Sequence, residues 1–397
     1  MFEHLDRLPD DPILGLMGAF RADPDPRKVD LGVGVYRDAQ GETPVLESVR
    51  RAEQAMLARQ KTKAYVAPVG NAAFNQAMAR LVLGADHPAL RDGRVRTIQA
   101  PGGCGALRLG AELIRKASPE SVVYVSTPTW ANHVPLLGGS GLKLERYPYY
   151  DPATGGVQFD AMLEVLDRLP PRTVVLLHAS CHNPTGADLS QDQWRAVLKL
   201  VRERKLLPFI DMAYQGLGTG VDEDAYAIRL FAAELPEVVV AVSCSKNFGL
   251  YRERTGVLQV VCETPANADA IQSQIVRIAR SIYSMPPDHG AAIVQEILDD
   301  ETLRNQWLTE LAAMRDRING LRAEVVRLLR QACPQRDFGF IAAQRGMFSL
   351  LGLDVEQVRA LRERHHIYMT DDSRINIAGL RSENLEYFAQ SVAQVLR

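Results

Sequence analysis

At 397 residues, 46% of them apolar, the chain is long enough for one large α/β domain with a smaller second one. Its 46 Lys and Arg against 48 Asp and Glu leave a net charge of −2, so there is no electrostatic case for nucleic acid or an anionic membrane as partner. No apolar run approaches a membrane span, the charged start Met1-Phe2-Glu3-His4-Leu5-Asp6-Arg7 lacks a secretory core, and the five cysteines are scattered without a C-x-x-C pair. A cytoplasmic protein with reduced thiols and no metal site is expected.

In chain order, Pro9-Asp10-Asp11-Pro12 and Asp23-Pro24-Asp25-Pro26 are turn formers, and the apolar patch Ile13-Leu14-Gly15-Leu16-Met17 between them is expected to pack against the body. Residues 31–36 read as a short strand whose glycines permit close backbone approach, and residues 45–60 have helical periodicity. Pro101-Gly102-Gly103-Cys104-Gly105 then opens a helix through 106–114. Such a turn offers free N–H groups and a positive dipole end to a phosphate, although plain helix starts use it as often. Apolar runs at 122–125, 174–177, 207–210 and 238–242 read as buried strands, with helices between several of them, notably around 194–203. This alternation implies an α/β fold with a mostly parallel sheet. The missing G-x-G-x-x-G after the first strand argues against a dinucleotide fold. A long charged amphipathic helix at 301–329 leads to a unit over 337–397, where 347–350 and 374–377 read as short strands.

Three polar clusters follow the carboxyl ends of these strands, where ligands gather in open α/β sheets. They are His182-Asn183-Pro184-Thr185-Gly186, Asp211-Met212-Ala213-Tyr214-Gln215-Gly216, and residues 243–254. The last places Lys246 among small hydroxyl residues, with Arg252 and Arg254 expected to depress a nearby amine or hold an anion. Alone, such a lysine reads as a surface charge. One ligand would use all three clusters and the glycine turn together: a pyridine aldehyde bearing a phosphate. Lys246 would form its Schiff base, Asp211 would pair with the ring nitrogen, and Asn183 and Tyr214 would donate to the ring's phenolate oxygen. The glycine turn, serines and an arginine would hold the phosphate.

These clusters closely resemble those of class I aminotransferases, in the aspartate and aromatic amino acid branch that uses pyridoxal phosphate. The similarity runs from Asp11-Pro12-Ile13-Leu14-Gly15-Leu16 to Arg374-Ile375-Asn376-Ile377-Ala378-Gly379-Leu380. The resemblance implies a fold type I PLP-dependent transferase. Its large domain, 46–313, would carry a mostly parallel sheet of the seven-stranded type. Both termini would build a small α+β domain, from 314–397 together with part of an N-terminal segment, 1–45, that also forms an arm. A homodimer with shared active sites is implied.

By the same resemblance Lys246 is the Schiff-base lysine and the base that moves the substrate's α-proton, and Asp211, Asn183 and Tyr214 serve the ring. Ser243 and Arg254 hold the phosphate with the backbone of Gly102, Gly103 and Cys104, and Trp130 stacks over the ring. Tyr65 reaches the phosphate from the neighbouring subunit. Arg374 takes the α-carboxylate, and Arg280, donated across the dimer, takes a side-chain carboxylate, which implies glutamate and 2-oxoglutarate as substrates. Trp130, Asn183 and Gly34 also face the substrate, Val33 and Gly34 from a small domain that closes in relatives, with Phe348 as an apolar wall.

Two departures stand out. Cys104 replaces a threonine or serine in the glycine turn, and a thiol is a poor donor. Met285 replaces a polar residue beside Arg280, making that end of the site softer and tilting it towards aromatic side chains. The implied activity is ping-pong transamination through a pyridoxamine phosphate form, between an aromatic amino acid or aspartate and 2-oxoglutarate, with the aromatic reading favoured. A strict aspartate aminotransferase is the alternative. A PLP-dependent lyase or decarboxylase fits the paired arginines poorly. A cofactor-sensing transcription regulator would need a DNA-binding helix pair ahead of the family's own N-terminus.

Overall fold

The computed structural model describes residues 1–7 and 12–397, so most of the expected turn at 9–12 lies outside the described residues. The central sheet has seven strands: β1 (Val95–Pro101), β2 (Val122–Thr127), β3 (Lys143–Pro148), β4 (Val174–His178), β5 (Leu207–Met212), β6 (Val238–Ser243) and β7 (Thr255–Val261). Their spatial order is β1-β7-β6-β5-β4-β2-β3. The pairs from β6 through β5, β4 and β2 to β3 are parallel, and β7 runs antiparallel to both β6 and β1. Every residue of β6 and β7 is buried, as a sheet covered on both faces requires. Alternation along β6 divides the core in two: Val238, Val240 and Val242 face one apolar layer, Val239 and Ala241 the other.

The four strands expected from apolar runs are present, each slightly longer than its run. Three further strands of this sheet were not recognised. In β1 the polar Arg96, Thr97 and Gln99 break up the apolar residues. β3 is an edge strand whose Lys143, Glu145 and Arg146 face outwards, so it has no apolar signature. In β7 the buried Gln259 interrupts the run, its amide donating to Met78 O at 3.3 Å.

Helices cover both faces: Leu107 and Leu109 of helix Gly102–Ala117 lie in one apolar layer, Phe74 and Met78 of helix Ala72–Leu83 in the other. Helix Glu301–Ala332, about 48 Å long at 1.5 Å per residue, is capped by Asp300, whose carboxylate accepts from Leu303 N at 2.9 Å. It packs against helices Glu47–Arg59 and Ser382–Val395. Strand Phe348–Leu350 pairs with Arg374–Asn376, and Val29–Asp30 pairs in parallel with Ile367–Tyr368.

The expected strand at 31–36 is a correction. Leu31 still pairs with strand backbone, its N–H donating to Tyr368 O and its carbonyl accepting from Asn376 N, both at 2.8 Å, but beyond it the segment is irregular and bonds largely to side chains. Asn376 Nδ2 donates to Val33 O and Val35 O, both at 2.7 Å, and Tyr36 N donates to the Tyr251 hydroxyl at 2.9 Å. The apolar patch at 13–17 is one side of helix Pro12–Ala22: Leu16 packs inside, whereas Leu14 is 66% exposed. Among the described residues no helix is long and apolar enough to cross a membrane.

Candidate active site

Strands β2, β4, β5 and β6 all end at one edge of the sheet, and there a cavity of about 240 Å³ opens. Lys246 lies in the loop between β6 and β7, closed at its base by Cys244 N donating to Thr255 O at 3.0 Å. The loop is pinned from the long helix. Trp307 Nε1 donates to Asn247 O at 2.8 Å, and the Trp307 ring stacks on Phe248 with centroids 4.5 Å apart and planes 2° from parallel. Lys246 Nζ stands 4.9 Å from the Tyr214 ring centroid. Burial pushes its pKa below the ordinary lysine value and Arg254 adds to this, while Asp211 and Cys104 oppose it. Of the two arginines, Arg254 lines the cavity and bears on the lysine, whereas Arg252 does not line it.

Asp211, on β5, is directly opposite His178 of β4 in the sheet register. Its Oδ2 accepts from His133 Nε2 at 3.1 Å. Burial alone would raise its pKa, but the His133 hydrogen bond and the charge of Lys246 are among the causes that outweigh it, leaving the carboxyl below its ordinary value. Asp211 is therefore an ionised carboxylate facing the cavity. Behind it, His178 stacks on His182 and His182 on Tyr149, with centroids 4.1 Å apart in each pair. Burial drives His178 down to about 3 and His182 well below its usual value, so both are neutral. The Tyr214 hydroxyl is raised far above its normal range by burial and stays protonated.

At one end of the cavity, helix Gly102–Ala117 begins without a side-chain cap, leaving first-turn N–H groups unclaimed by one. The turn needs its glycines. Gly102 has φ +67°, a Cβ there would lie 2.6 Å from Arg254 Nη2, and one on Gly103 would lie 3.1 Å from Ser243 Cβ. The Ser243 hydroxyl donates to Ser245 Oγ at 3.1 Å, and Arg254 Nη1 approaches the same oxygen at 3.4 Å. Cys104 Sγ accepts only a long contact from Asn132 Nδ2, 3.7 Å.

At the other end, Arg374 is 6% exposed. It donates to Gly32 O at 2.9 Å and to Asn183 Oδ1 at 3.4 Å, its Nε has no partner, and its guanidinium carbon lies 4.5 Å from the Phe348 ring centroid. Burial lowers its pKa from the ordinary arginine value. Gly34, Trp130 and Phe348 also line the cavity.

Of the residues singled out from sequence, the structure thus gathers Gly34, Gly103, Cys104, Trp130, Asn183, Asp211, Tyr214, Ser243, Lys246, Arg254, Phe348 and Arg374 around one cavity, with Gly102 beside Arg254; Val33 and Arg252 are not part of its lining. Tyr65 is 94% exposed, and the exposed Arg280 donates to Ser284 Oγ at 2.8 Å. Neither lines the cavity of its own chain, and Met285 is half-buried beside that arginine. Sequence reasoning missed Ser245, His133, His178, Ser180 and Ile13. Ser245 sat inside the 243–254 cluster and His133 three residues after Trp130, whereas the place of His178 follows from strand register. The Ser180 hydroxyl is buried without a partner on the cavity wall.

This donor set fits pyridoxal phosphate. Uncapped amides, hydroxyls and a guanidinium suit its phosphate, an ionised buried carboxylate suits its ring nitrogen, and an amine of lowered pKa suits its aldehyde. The family model for aminotransferases of class I and II matches residues 26–392. The aromatic-amino-acid aminotransferase of Pseudomonas aeruginosa is 49% identical over 99% of this chain and 98% of its own length. The aspartate aminotransferase of Haemophilus influenzae is 43% identical, with both chains covered in full. The aromatic-amino-acid aminotransferase of Burkholderia pseudomallei, solved covalently bound to pyridoxal phosphate, superposes with a TM-score of 0.98 at 46% identity, covering 100% of both chains. The chain belongs to the class I and II aminotransferases, a transaminase whose cofactor is pyridoxal phosphate.

Proposed function

We propose that this transaminase moves amino groups from aromatic L-amino acids to 2-oxoglutarate, with aspartate as a lesser donor. The observation that carries the reading is Arg374: a buried guanidinium with an unspent Nε–H, set against the Phe348 ring in a cavity also lined by Trp130 and Ile13. It suits a planar α-carboxylate whose side chain is itself apolar. The relatives named for aromatic substrates, 49% and 46% identical, lend it further support.

When bound, pyridoxal phosphate supplies an aldehyde and an electron-withdrawing ring that can hold the electrons of a substrate Cα–H bond. The chain's own residues do the rest. Lys246 Nζ anchors the cofactor covalently and, once free, carries a proton from the substrate's Cα, a role its lowered pKa suits. Asp211 keeps a negative charge at the ring-nitrogen end, and Tyr214 and Asn183 offer hydrogen bonds at the phenolate end. Trp130 would cover one ring face, and Ser243, Ser245, Arg254 and the amides of Gly102, Gly103 and Cys104 would hold the phosphate.

Tyr65 and Arg280, exposed and away from the cavity of their own chain, are assigned to the cavity of a second copy in a homodimer. There Tyr65 would reach the phosphate and Arg280 a second substrate carboxylate. A large domain over 46–313 and a small one from 1–45 and 314–397 would carry the closing motion. Five cysteines without a disulfide fit the reducing cytoplasm.

Lys246→Ala tests the centre of this reading: the absorption of the covalently held cofactor and nearly all turnover are expected to vanish. A variant that still holds the cofactor covalently refutes the assignment. For substrate choice, phenylalanine and aspartate are compared with 2-oxoglutarate as common acceptor. A kcat/KM about tenfold higher for aspartate, or 1.4 kcal/mol, would reverse the preference.

A further inference from the structure

Arg322, near the middle of helix Glu301–Ala332, is among the largest fully buried side chains, at 1% exposure. A buried cation is costly unless paired or fully hydrogen-bonded. Here it makes six hydrogen bonds, five to main-chain carbonyls and one to the Ser349 hydroxyl, and none to a carboxylate. Nη1 donates to Ile341 O at 3.0 Å and Ser349 Oγ at 2.7 Å. Nη2 donates to Gly346 O and Phe348 O, both at 2.7 Å, and to Arg345 O at 3.3 Å, while Nε donates to Gly346 O at 3.3 Å. The fork gathers four carbonyls of one short turn, whose dipoles would otherwise repel one another.

Phe348 leaves that turn at the start of its strand, in register with Asn376, and Leu350 is in register with Arg374. Its ring lies 4.5 Å from the Arg374 guanidinium carbon and meets the Tyr214 ring edge-on at 6.2 Å. The turn is also locked to the loop after β4. Arg345 N donates to Gly186 O at 2.8 Å, and a Cβ on Gly346 would lie 2.4 Å from Cys181 Cβ. The guanidinium of Arg322 is thus one carbonyl away from the ring on which Arg374 rests.

We infer that Arg322 is a positioning residue for substrate carboxylate recognition: it holds the 341–349 turn so that the Phe348 ring confines the Arg374 guanidinium. The inference rests on the reading of Arg374 as the α-carboxylate ligand. Because every donor and acceptor carries that carboxylate, loss of the restraint weakens all substrates together and leaves cofactor anchoring alone. The cation persists across the neutral range: burial lowers its pKa only to about 10, with the charge of Arg345 adding to this and that of Asp188 supporting the charged form.

The test compares holoenzymes of wild type, Arg322→Lys and Arg322→Met. Arg322→Lys keeps the charge and loses the fork, and Arg322→Met loses both. The expected result for Arg322→Met is a paired rise of about tenfold in KM for phenylalanine and 2-oxoglutarate, the scale of a desolvated cation–π contact. The kcat and the bound-cofactor absorption stay near wild type, and Arg322→Lys falls between. A lowered Tm with both KM values unchanged overturns the inference, because a purely structural role predicts that outcome. Should either variant not fold, Phe348→Leu keeps the carbonyl set and removes the ring, and the same paired rise is expected. Unchanged KM values in Phe348→Leu overturn the inference too. Arg374→Lys separates the two levels. If it leaves KM unaltered, the reading of Arg374 fails; if it raises KM while Arg322→Met and Phe348→Leu do not, the inference alone fails.

Discussion

Gly34→Ala probes the tightest contact between the irregular 31–36 segment and the substrate end of the cavity. A Cβ at this position would stand 2.9 Å from Phe348 Cζ, with the next ring atoms at 3.7 and 3.9 Å. Carbon atoms prefer about 3.5–4.0 Å, so the ring must withdraw by roughly 0.6–1 Å. It has little room, being 3% exposed, with the Arg374 guanidinium 4.5 Å away, Tyr214 at its edge, and its own carbonyl tied to Arg322 at 2.7 Å. Overpacking of this kind costs about 1–3 kcal/mol. If the strain falls on the arrangement that grips the carboxylate, kcat/KM drops by about 5- to 150-fold. The phosphate cup lies at the opposite end, so the bound-cofactor absorption is expected to be unchanged. Steady-state rates with phenylalanine and 2-oxoglutarate, set beside cofactor absorption and Tm, measure this directly. A Gly34→Ala, Phe348→Leu double variant makes space for the methyl, and its loss should be smaller than the two single losses combined. A single variant within about twofold of wild type, or strictly additive losses, would refute the packing argument.

Trp307→Phe retains an aromatic ring against Phe248 but leaves the carbonyl of Asn247 without its donor. About 1–3 kcal/mol of stability should go, together with turnover as the Lys246 loop loosens, and an unshifted urea midpoint would contradict this. Asp188 offers a pH test. Burial and then the charge of Asp224 push its carboxyl up to about 6, against the backbone N–H groups of His182 and Cys181 and the charge of Arg322. Its folded pKa lies above the unfolded value of about 3.9, so the folded chain holds the proton more tightly. This contribution is fully present below pH ~4 and is lost as pH rises to about 6, an effect of at most ~3 kcal/mol. The stability difference between wild type and Asp188→Asn should therefore change across that window and flatten above it. Parallel urea midpoints from pH 4 to 7 would exclude the shift.

Strands β4, β5 and β6 were legible because they are covered on both faces, and burial of that kind leaves an unbroken apolar run. The polar clusters at their carboxyl ends were legible for the complementary reason: Asp211 and Lys246 break an apolar pattern where only a ligand could justify them. Elsewhere the signal was absent or misleading. The edge strand β3 needs charge on its outer residues. Residues 31–36 alternate like a strand, yet the carbonyls of Val33 and Val35 are satisfied by the single side chain of Asn376 and that of Gly32 by Arg374, both far along the chain. The partnership of His178 with Asp211 is set by β4–β5 register, and that of Arg322 with Phe348 by a helix and a turn converging. No spacing in the sequence encodes either. Tyr65 and Arg280 are exposed and absent from the lining of their own chain's cavity, so nothing within one chain ties them to it.

The lysine and the aspartate also exchange roles relative to the simplest electrostatic reading of residues 243–254. Two arginines following Lys246 suggested that cations lower its pKa. In the folded chain burial is the larger cause, Arg254 a smaller one, and Asp211 works against both. A carboxylate so close would be a poor neighbour for a proton-carrying amine unless its charge had another partner. That requirement falls on the groups behind Asp211. A charged histidine stack there would spend the carboxylate's charge within the protein and leave little for a ring nitrogen in the cavity. Burial instead keeps His178 and His182 neutral, while His133 supplies a hydrogen bond to Oδ2. The stack can therefore brace Asp211 without neutralising it, and the charge remains on the face turned towards the cofactor. Replacing the packed aromatic surroundings of His178 with polar ones would raise its pKa. It should then weaken the site by drawing Asp211 back towards the protein, even with every residue that touches the cofactor intact.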